Sequence, residues 1–168
     1  MSEATTAMLS ELREEAVITK RVLERVPSDK LSWRPHAKSM SLGQLALHVA
    51  SIPGNLTRLT QLDEYDIAQS SFNPPEPKGL GEIHTALEQS VRSAEEHLAS
   101  MTEQVASANW RLTLRGKELF SRPRIAVLRS IMLNHWYHHR GQLSVYLRLL
   151  DVPVPIIYGR SADENPFA

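Results

Sequence analysis

The stretch LRSIMLNHWYHHRGQLSVY, residues 128–146, carries the strongest signal for the fold and lies within the longest predicted helix. Positions spaced three and four residues apart form a single stripe along it, as in an amphipathic helix. The stripe consists of Leu128, Met132, His135, His139, Leu143 (or Gln142) and Tyr146. The pattern predicts a helix from Ser121, its cap, to about Leu150, with Pro123 in the first turn. Two histidines then occupy positions where core residues are expected.

The same spacing predicts three more helices upstream, over residues 8–26, from Ser41 to about Leu59, and from Gly81 to Met101. Ser41 and Gln44 form the S-x-x-Q pattern of a capping box, which marks a helix N-terminus. The sequence predicts a loop over residues 63–80 and an irregular connection with a short hairpin over residues 102–122. Four long amphipathic helices predict an all-α four-helix bundle with long crossover connections. The length of 168 residues fits a single domain over residues 1–168.

The composition excludes several classes of protein. The chain has no cysteine and seven histidines, so disulfides, thiolate metal sites and a cysteine nucleophile are excluded. Histidine and carboxylates remain as the strong metal ligands. The 19 basic and 19 acidic residues cancel, which argues against nucleic acid as a partner. The polar first residues and the lack of a long apolar run predict a cytoplasmic protein without a membrane span.

The histidines of the last helix suggest a metal site. His135 and His139 are four residues apart, so they lie one turn apart on the same face and can converge on a single ion. Trp136 follows the first histidine where an H-E-x-x-H enzyme has glutamate, so that class of zinc enzyme is excluded. His48 flanks the inward stripe of the second helix and is the natural third ligand. Three core histidines satisfied by protein groups alone are the structural alternative.

The remaining histidines and arginines carry weaker signals. His138 lies about 60° around the helix from His135 and is a weak candidate for general acid or base work. His36 lies in a loop, and His84 and His97 fall off the apolar stripe of the third helix and are expected to be solvated. Arg140 and Arg148 could steer an anionic substrate, although exposed helix arginines are usually only solvated.

Several segments together resemble the DinB/YfiT-like superfamily. They are SLGQLALHVA at 41–50, HWYHHRGQL at 135–143, LSWRP at 31–35, and the ending from Val154-Pro155 to GRSADE at 159–164. The resemblance covers nearly the whole chain. It implies an all-α four-helix bundle with an unusual helix order, often a homodimer, and a divalent metal, usually zinc or nickel, on His48, His135 and His139.

The resemblance also implies a function. Several relatives are metal-dependent transferases or isomerases that use low-molecular-weight thiols. We therefore expect a metal-dependent enzyme acting on a small molecule, with a thiol arriving as cosubstrate. Two alternatives stay open. One is a metal-binding stress-response protein without catalysis, and the other is a structural bundle whose core histidines are satisfied without metal.

Overall fold

Helices dominate the fold of the computed structural model, which describes residues 3–71 and 73–167. The helices within these ranges are α1 (Glu3–Leu23), α2 (Leu42–Leu59), α3 (Leu80–Ser100), α4 (Glu103–Ser107), α5 (Arg124–Val127) and α6 (Asn134–Leu149). A π-helical segment, Leu128–Leu133, joins α5 to α6. Two 3₁₀ turns lie at Ser28–Lys30 and Ile67–Gln69. The mostly helical fold was predicted, and none of the described helices is long and apolar enough to cross a membrane.

The start of α2 confirms the predicted capping box. The Ser41 hydroxyl oxygen accepts from the Gln44 backbone N–H at 3.1 Å, and the Gln44 side-chain oxygen accepts from the Ser41 N–H at 2.9 Å. Two amides without helical partners are thereby satisfied. The same two side chains hold the loop that precedes α3, since Ser41 donates to Glu76 and Gln44 donates to the Pro74 carbonyl.

A three-stranded sheet corrects the all-α prediction. Strand β1 (Glu64–Asp66) pairs in parallel with β2 (Asn109–Leu114), which pairs antiparallel with β3 (Lys117–Pro123). Arg115 and Gly116 both have positive φ at the hairpin turn, the conformation that matches the twist of the flanking strands. The expected short hairpin is confirmed. The parallel strand β1 was missed, because three residues are too few to show an alternating pattern.

The last helix begins later than predicted. Ser121 lies within β3 and does not cap the helix. Pro123 ends β3 and holds the N-cap position of α5, which begins at Arg124, so the proline precedes the first turn and does not lie in it. Arg124 is 6% exposed, and its guanidinium donates to the Thr60 carbonyl at 3.0 Å and to the Asp63 carboxylate at 2.5 Å. These bonds hold the end of β3 against the chain segment that follows α2. The start of α5 is therefore set by hydrogen bonds to residues outside the helix.

The long helices pack mainly through α2. It contacts α3 on one side and α6 on another, and α1 packs against α3. Gly54 allows a close approach to α3, because a Cβ there would lie 2.8 Å from the Ser90 Cα. The Gly54 N–H donates to the Ser90 hydroxyl at 2.7 Å. The resulting core holds one face of α2 in place, and the candidate site lies at the edge of this core.

Candidate metal centre

Three histidines from two helices converge at the contact between α2 and α6. His48 on α2 and His135 and His139 on α6 each offer a ring nitrogen, and these nitrogens all lie within 4.8 Å of one another. The Nε2 atoms of His48 and His135 are 3.2 Å apart. The ring centroid of His139 lies 4.5 Å from each of the other two. The structure therefore brings together the three residues that the sequence singled out.

The neighbours of the histidines set the rotation of the two helices. Trp136, fully buried, donates its indole N–H to the backbone carbonyl of Val49 at 2.9 Å. Each of these residues directly follows one of the facing histidines, so the bond fixes His48 opposite His135. Since an indole N–H buried without an acceptor is costly, this bond resists sliding of α6 along α2.

The histidines lie beside the core and not on its central stripe, which corrects the predicted phase of the last helix. The buried side chains of α6 are Trp136, Arg140, Leu143 and Leu147, and both ligand candidates are only partly buried. The π-helical segment directly before α6 is the physical reason. A turn with one extra residue shifts every later side chain by about 100° relative to an uninterrupted α-helix. The histidines are therefore accessible from a pocket.

Burial keeps the three imidazoles neutral. It lowers the pKa of His48 to about 4, with a further contribution from the neighbouring His135. Burial likewise lowers the pKa of His139 to about 4, aided by the charges of His48 and His135. The pKa of His135 is also lowered, first by burial and then by His138. Neutral imidazole is the form that binds a metal ion, so the set is ready to bind one at neutral pH.

Gln142 fixes the tautomer of one ring. The Nδ1 atom of His139 lies 2.7 Å from the Gln142 side-chain oxygen. An amide oxygen only accepts, so Nδ1 carries the hydrogen and the lone pair of Nε2 is free to face the other histidines. Metal-binding histidines in proteins have such a partner on the second ring nitrogen almost without exception. Gln142 entered the sequence pattern only as an alternative stripe position, although its i+3 spacing from His139 could have indicated the contact.

A pocket of about 570 Å³, here called the histidine pocket, opens in front of the three rings. Ser51 and Asn55 line it from α2, and Asn73, Pro74 and Pro75 line it from the loop held by the capping box. Sequence reasoning missed all five. Ser51 and Asn55 follow His48 by three and seven residues and so share its helix face, which is a usable signal. The loop residues carry no such signal.

The remaining histidines differ in how far they are exposed and in whether they border the pocket. His138 is exposed, with its ring centroid 4.9 Å from that of His139, and it is not among the described residues that line the histidine pocket. His36 is exposed, as expected for a loop residue. His97 is partly buried near Arg124, and its pKa is lowered by burial and by that charge, so the expectation that it is solvated was wrong. His84 is also partly buried.

The two arginines of α6 have different roles from each other. Arg148 is exposed and pairs with Asp163. Arg140 is 1% exposed and pairs with Glu15 of α1 at 2.5 Å, so it is neither solvated nor available to steer an anionic substrate. Its burial could not be read from the helix pattern, because the partner lies far away in the sequence.

Comparisons with known proteins agree on one family. The model of the DinB family matches residues 1–165. The uncharacterized protein YrdA of Bacillus subtilis (strain 168) is 25% identical over 151 residues, which cover 89% of this chain and 85% of that protein.

Solved structures show the same fold. A DinB-like protein of Bacillus subtilis, YjoA, superposes with a TM-score of 0.69 at 18% identity, covering 90% of this chain and 96% of the other. A DinB-like protein of Bacillus cereus ATCC 10987 superposes with a TM-score of 0.68 at 22% identity, covering 89% and 95% of the two chains. With a family model that spans nearly its whole length and neighbours that share its fold, the chain belongs to the DinB family.

Proposed function

We propose that the protein is a divalent-metal-dependent enzyme whose ion is held by His48, His135 and His139, with zinc or nickel as the metal. The observation that carries the proposal is the convergence of three neutral ring nitrogens at the wall of an accessible pocket. Structural zinc sites in proteins have four protein ligands, whereas catalytic sites keep one position open. Among the described residues this group has three members, which fits the catalytic kind.

The donor set suits such an ion. Two nitrogens at about 2.0–2.1 Å from a tetrahedral ion lie about 3.4 Å from each other. The 3.2 Å separation between the Nε2 atoms of His48 and His135 is close to that value. Burial already keeps these rings unprotonated, so an ion would displace few protons at neutral pH.

The residues around the ligands have separate tasks in this proposal. Gln142 holds the ring of His139 in the ligating tautomer. Ser51, Asn55 and Asn73 present polar groups to the histidine pocket and would bind the polar part of a substrate. His138 remains a weaker candidate for proton transfer, since it would have to reach the pocket from outside it.

The reaction class we propose is transfer to or isomerisation of a small molecule, with a low-molecular-weight thiol as cosubstrate. A bound divalent ion lowers the pKa of a coordinated thiol and so provides a nucleophile at neutral pH. The chain has no cysteine of its own, so the sulfur would come from solution. The bundle arrangement of the long helices, the homodimer and the cytoplasmic location belong to the same proposal. The first is predicted from the helix pattern and the family resemblance, the second from the resemblance, and the third from the polar first residues and the lack of a long apolar run.

A metal-binding protein without catalysis is the second candidate. A closed coordination sphere with a fourth protein ligand would favour it, and X-ray absorption spectroscopy of the loaded protein separates the two cases. Three imidazoles plus one or two solvent oxygens support an enzyme, and four protein ligands support the non-catalytic role. The structural alternative, histidines satisfied without metal, is supported if the purified protein takes up neither zinc nor nickel.

Activity is tested on zinc- and nickel-loaded protein with a panel of small thiols and electrophiles. The H48A/H135A double variant, loaded in parallel, is the control for reaction with thiols alone. Turnover by the loaded protein above this control supports the proposal. Stoichiometric metal binding without turnover of any pair in the panel favours the non-catalytic candidate.

A further inference from the structure

A second cavity, about 310 Å³ in volume, lies beside the metal centre and is here called the apolar cavity. Its walls come from the end of α2, the sheet and the helical segment before α6. The side chains that matter for the argument are Leu59, Ile67, Trp110, Leu112, Ile131 and His135. None of the described residues that line it is a lysine, arginine, aspartate or glutamate.

His135 joins this cavity to the candidate metal centre. The same imidazole lines the apolar cavity and the histidine pocket. A molecule whose reacting end contacts the histidines can therefore place another part of itself in the apolar cavity. The cavity is next to the chemistry proposed above and is not a separate surface feature.

The polar atoms along the walls already have partners. The Tyr65 hydroxyl lies 2.9 Å from the Ser70 hydroxyl, the Thr60 hydroxyl donates to the Thr57 carbonyl, and the Trp110 indole N–H donates to the Leu59 carbonyl. A charged or strongly polar group placed there would lose water without gaining a partner, which is costly. The walls therefore select an uncharged, apolar group.

Partly exposed aliphatic side chains in the walls of the cavity also favour an apolar ligand. Leu59, Ile67, Leu112 and Ile131 are only half-buried, although each comes from an ordered element of the fold. An apolar ligand would remove this surface from water. The cavity is about twice the ~150 Å³ that holds a benzene molecule in an engineered protein cavity, so a bicyclic aromatic or branched aliphatic group fits it.

We infer that the apolar cavity binds the uncharged aryl or branched aliphatic part of the substrate whose reacting end lies at His48, His135 and His139. This inference rests on the proposed metal-dependent function. It narrows the substrates to molecules that combine a metal-directed polar end with a bulky apolar part.

Zinc-loaded protein and three hydroxamic acids provide the test. Each probe has the same chelating end, and the apolar part grows from methyl through phenyl to 2-naphthyl. Since each buried CH₂ contributes about 0.8 kcal/mol, or roughly fourfold in affinity, we expect the naphthyl probe to bind at least 100-fold more tightly than the methyl probe. Equal affinity for all three probes would overturn the inference.

An I131W variant fills the apolar cavity with the enlarged side chain. We call the ratio of the affinities for the naphthyl and the methyl probe the naphthyl gain. We expect this gain to fall at least tenfold in I131W, while the affinities for zinc and for the methyl probe, acetohydroxamic acid, stay unchanged. V145W, at a position 56% exposed on α6, is the matched control and should keep the full gain. If I131W does not fold, as judged by circular dichroism, L112F reduces the cavity from the β2 side. An unchanged gain in a folded cavity-filling variant contradicts the inference.

A metal-free measurement separates this inference from the proposed function. Binding of 1-fluoronaphthalene to metal-free protein is followed by ¹⁹F NMR in wild type and I131W. If zinc does not bind but the fluorinated probe binds wild type alone, the proposed function fails and the cavity stands as an apolar binding site. If zinc binds but the probe does not, the cavity inference fails. A change of oligomeric state in I131W without probe binding means that a second copy of the chain covers the cavity, which also overturns the inference.

Discussion

Arg140, the residue that follows the candidate ligand His139 in α6, forms a buried ion pair with Glu15 of α1, with 2.5 Å between Nη1 and Oε2. The guanidinium also donates to the Thr19 hydroxyl at 3.1 Å and to the Glu15 backbone carbonyl at 3.3 Å. Tyr158 of the C-terminal segment accepts from the same guanidinium and donates to Glu15 at 3.1 Å. The pair thereby ties three parts of the chain together and fixes the rotation of α6 about its axis.

Removing one partner of this pair should destabilise the fold strongly. In E15Q the Arg140 charge stays buried without a counter-charge, which typically costs about 3–5 kcal/mol. Urea denaturation of the metal-free protein measures the free energy of unfolding. E14Q, at the exposed neighbouring position, should change it by less than about 0.5 kcal/mol. A loss below 1 kcal/mol in E15Q would mean that the pair contributes little to holding α6.

Loss of any one of the three histidines should abolish tight metal binding. H48A, H135A and H139A each leave two imidazoles. Substituting a residue that only supports a ligand typically lowers metal affinity 10–100-fold, so we expect loss of a ligand itself to lower zinc affinity at least 100-fold. Isothermal titration calorimetry measures the affinity. H138A is the matched control, since its side chain is exposed and lies next to His139. Equal losses in H138A and H139A would contradict the assignment of the ligands.

Local patterns predicted the parts of this site that depend on a few neighbouring residues. The Ser41–Gln44 capping box and the four-residue spacing of His135 and His139 follow from helix geometry alone, and both were available from the sequence. His48 could be placed as the third candidate because a one-residue offset from an apolar stripe is also a local property. The resemblance to a known family indicated the same three residues.

Long-range contacts explain what the sequence analysis missed. The burial of Arg140 depends on Glu15, which is 125 positions away, and the helix pattern alone predicts a solvated arginine. The parallel strand β1 exists only because β2 pairs with it. The π-helical segment rotates the side chains of α6 about the helix axis, and no residue type within Leu128–Leu133 indicates the extra residue in the turn. Each of these features is decided by packing that no local pattern records.

Gln142 should tune the affinity of the centre without being a ligand. In Q142A the Nδ1 hydrogen of His139 loses its acceptor, so the ligating tautomer is no longer favoured, and we expect a 10–100-fold loss of zinc affinity. Q142E supplies a stronger acceptor and should restore or exceed wild-type affinity. Q89A, at an exposed position of α3, controls for loss of a surface glutamine. If Q142E behaves like Q142A, the contact at 2.7 Å does not orient the ring.

Stability of the metal-free protein should fall as the pH drops from about 6.5 towards 4. His48 and His139 titrate near pH 4 in the folded state and near 6.5 when unfolded, so between these values the unfolded state binds more protons and is favoured. Above about pH 6.5 both groups are neutral in the folded and in the unfolded state, so they add no pH dependence to the free energy of unfolding. Urea midpoints at pH 7.5, 6 and 4.5 measure the effect, and an H48Q/H139Q variant, which removes both groups, should show a smaller decline over the same range. A decline of equal size in wild type and variant would assign the acid sensitivity to other groups and contradict the lowered pKa values.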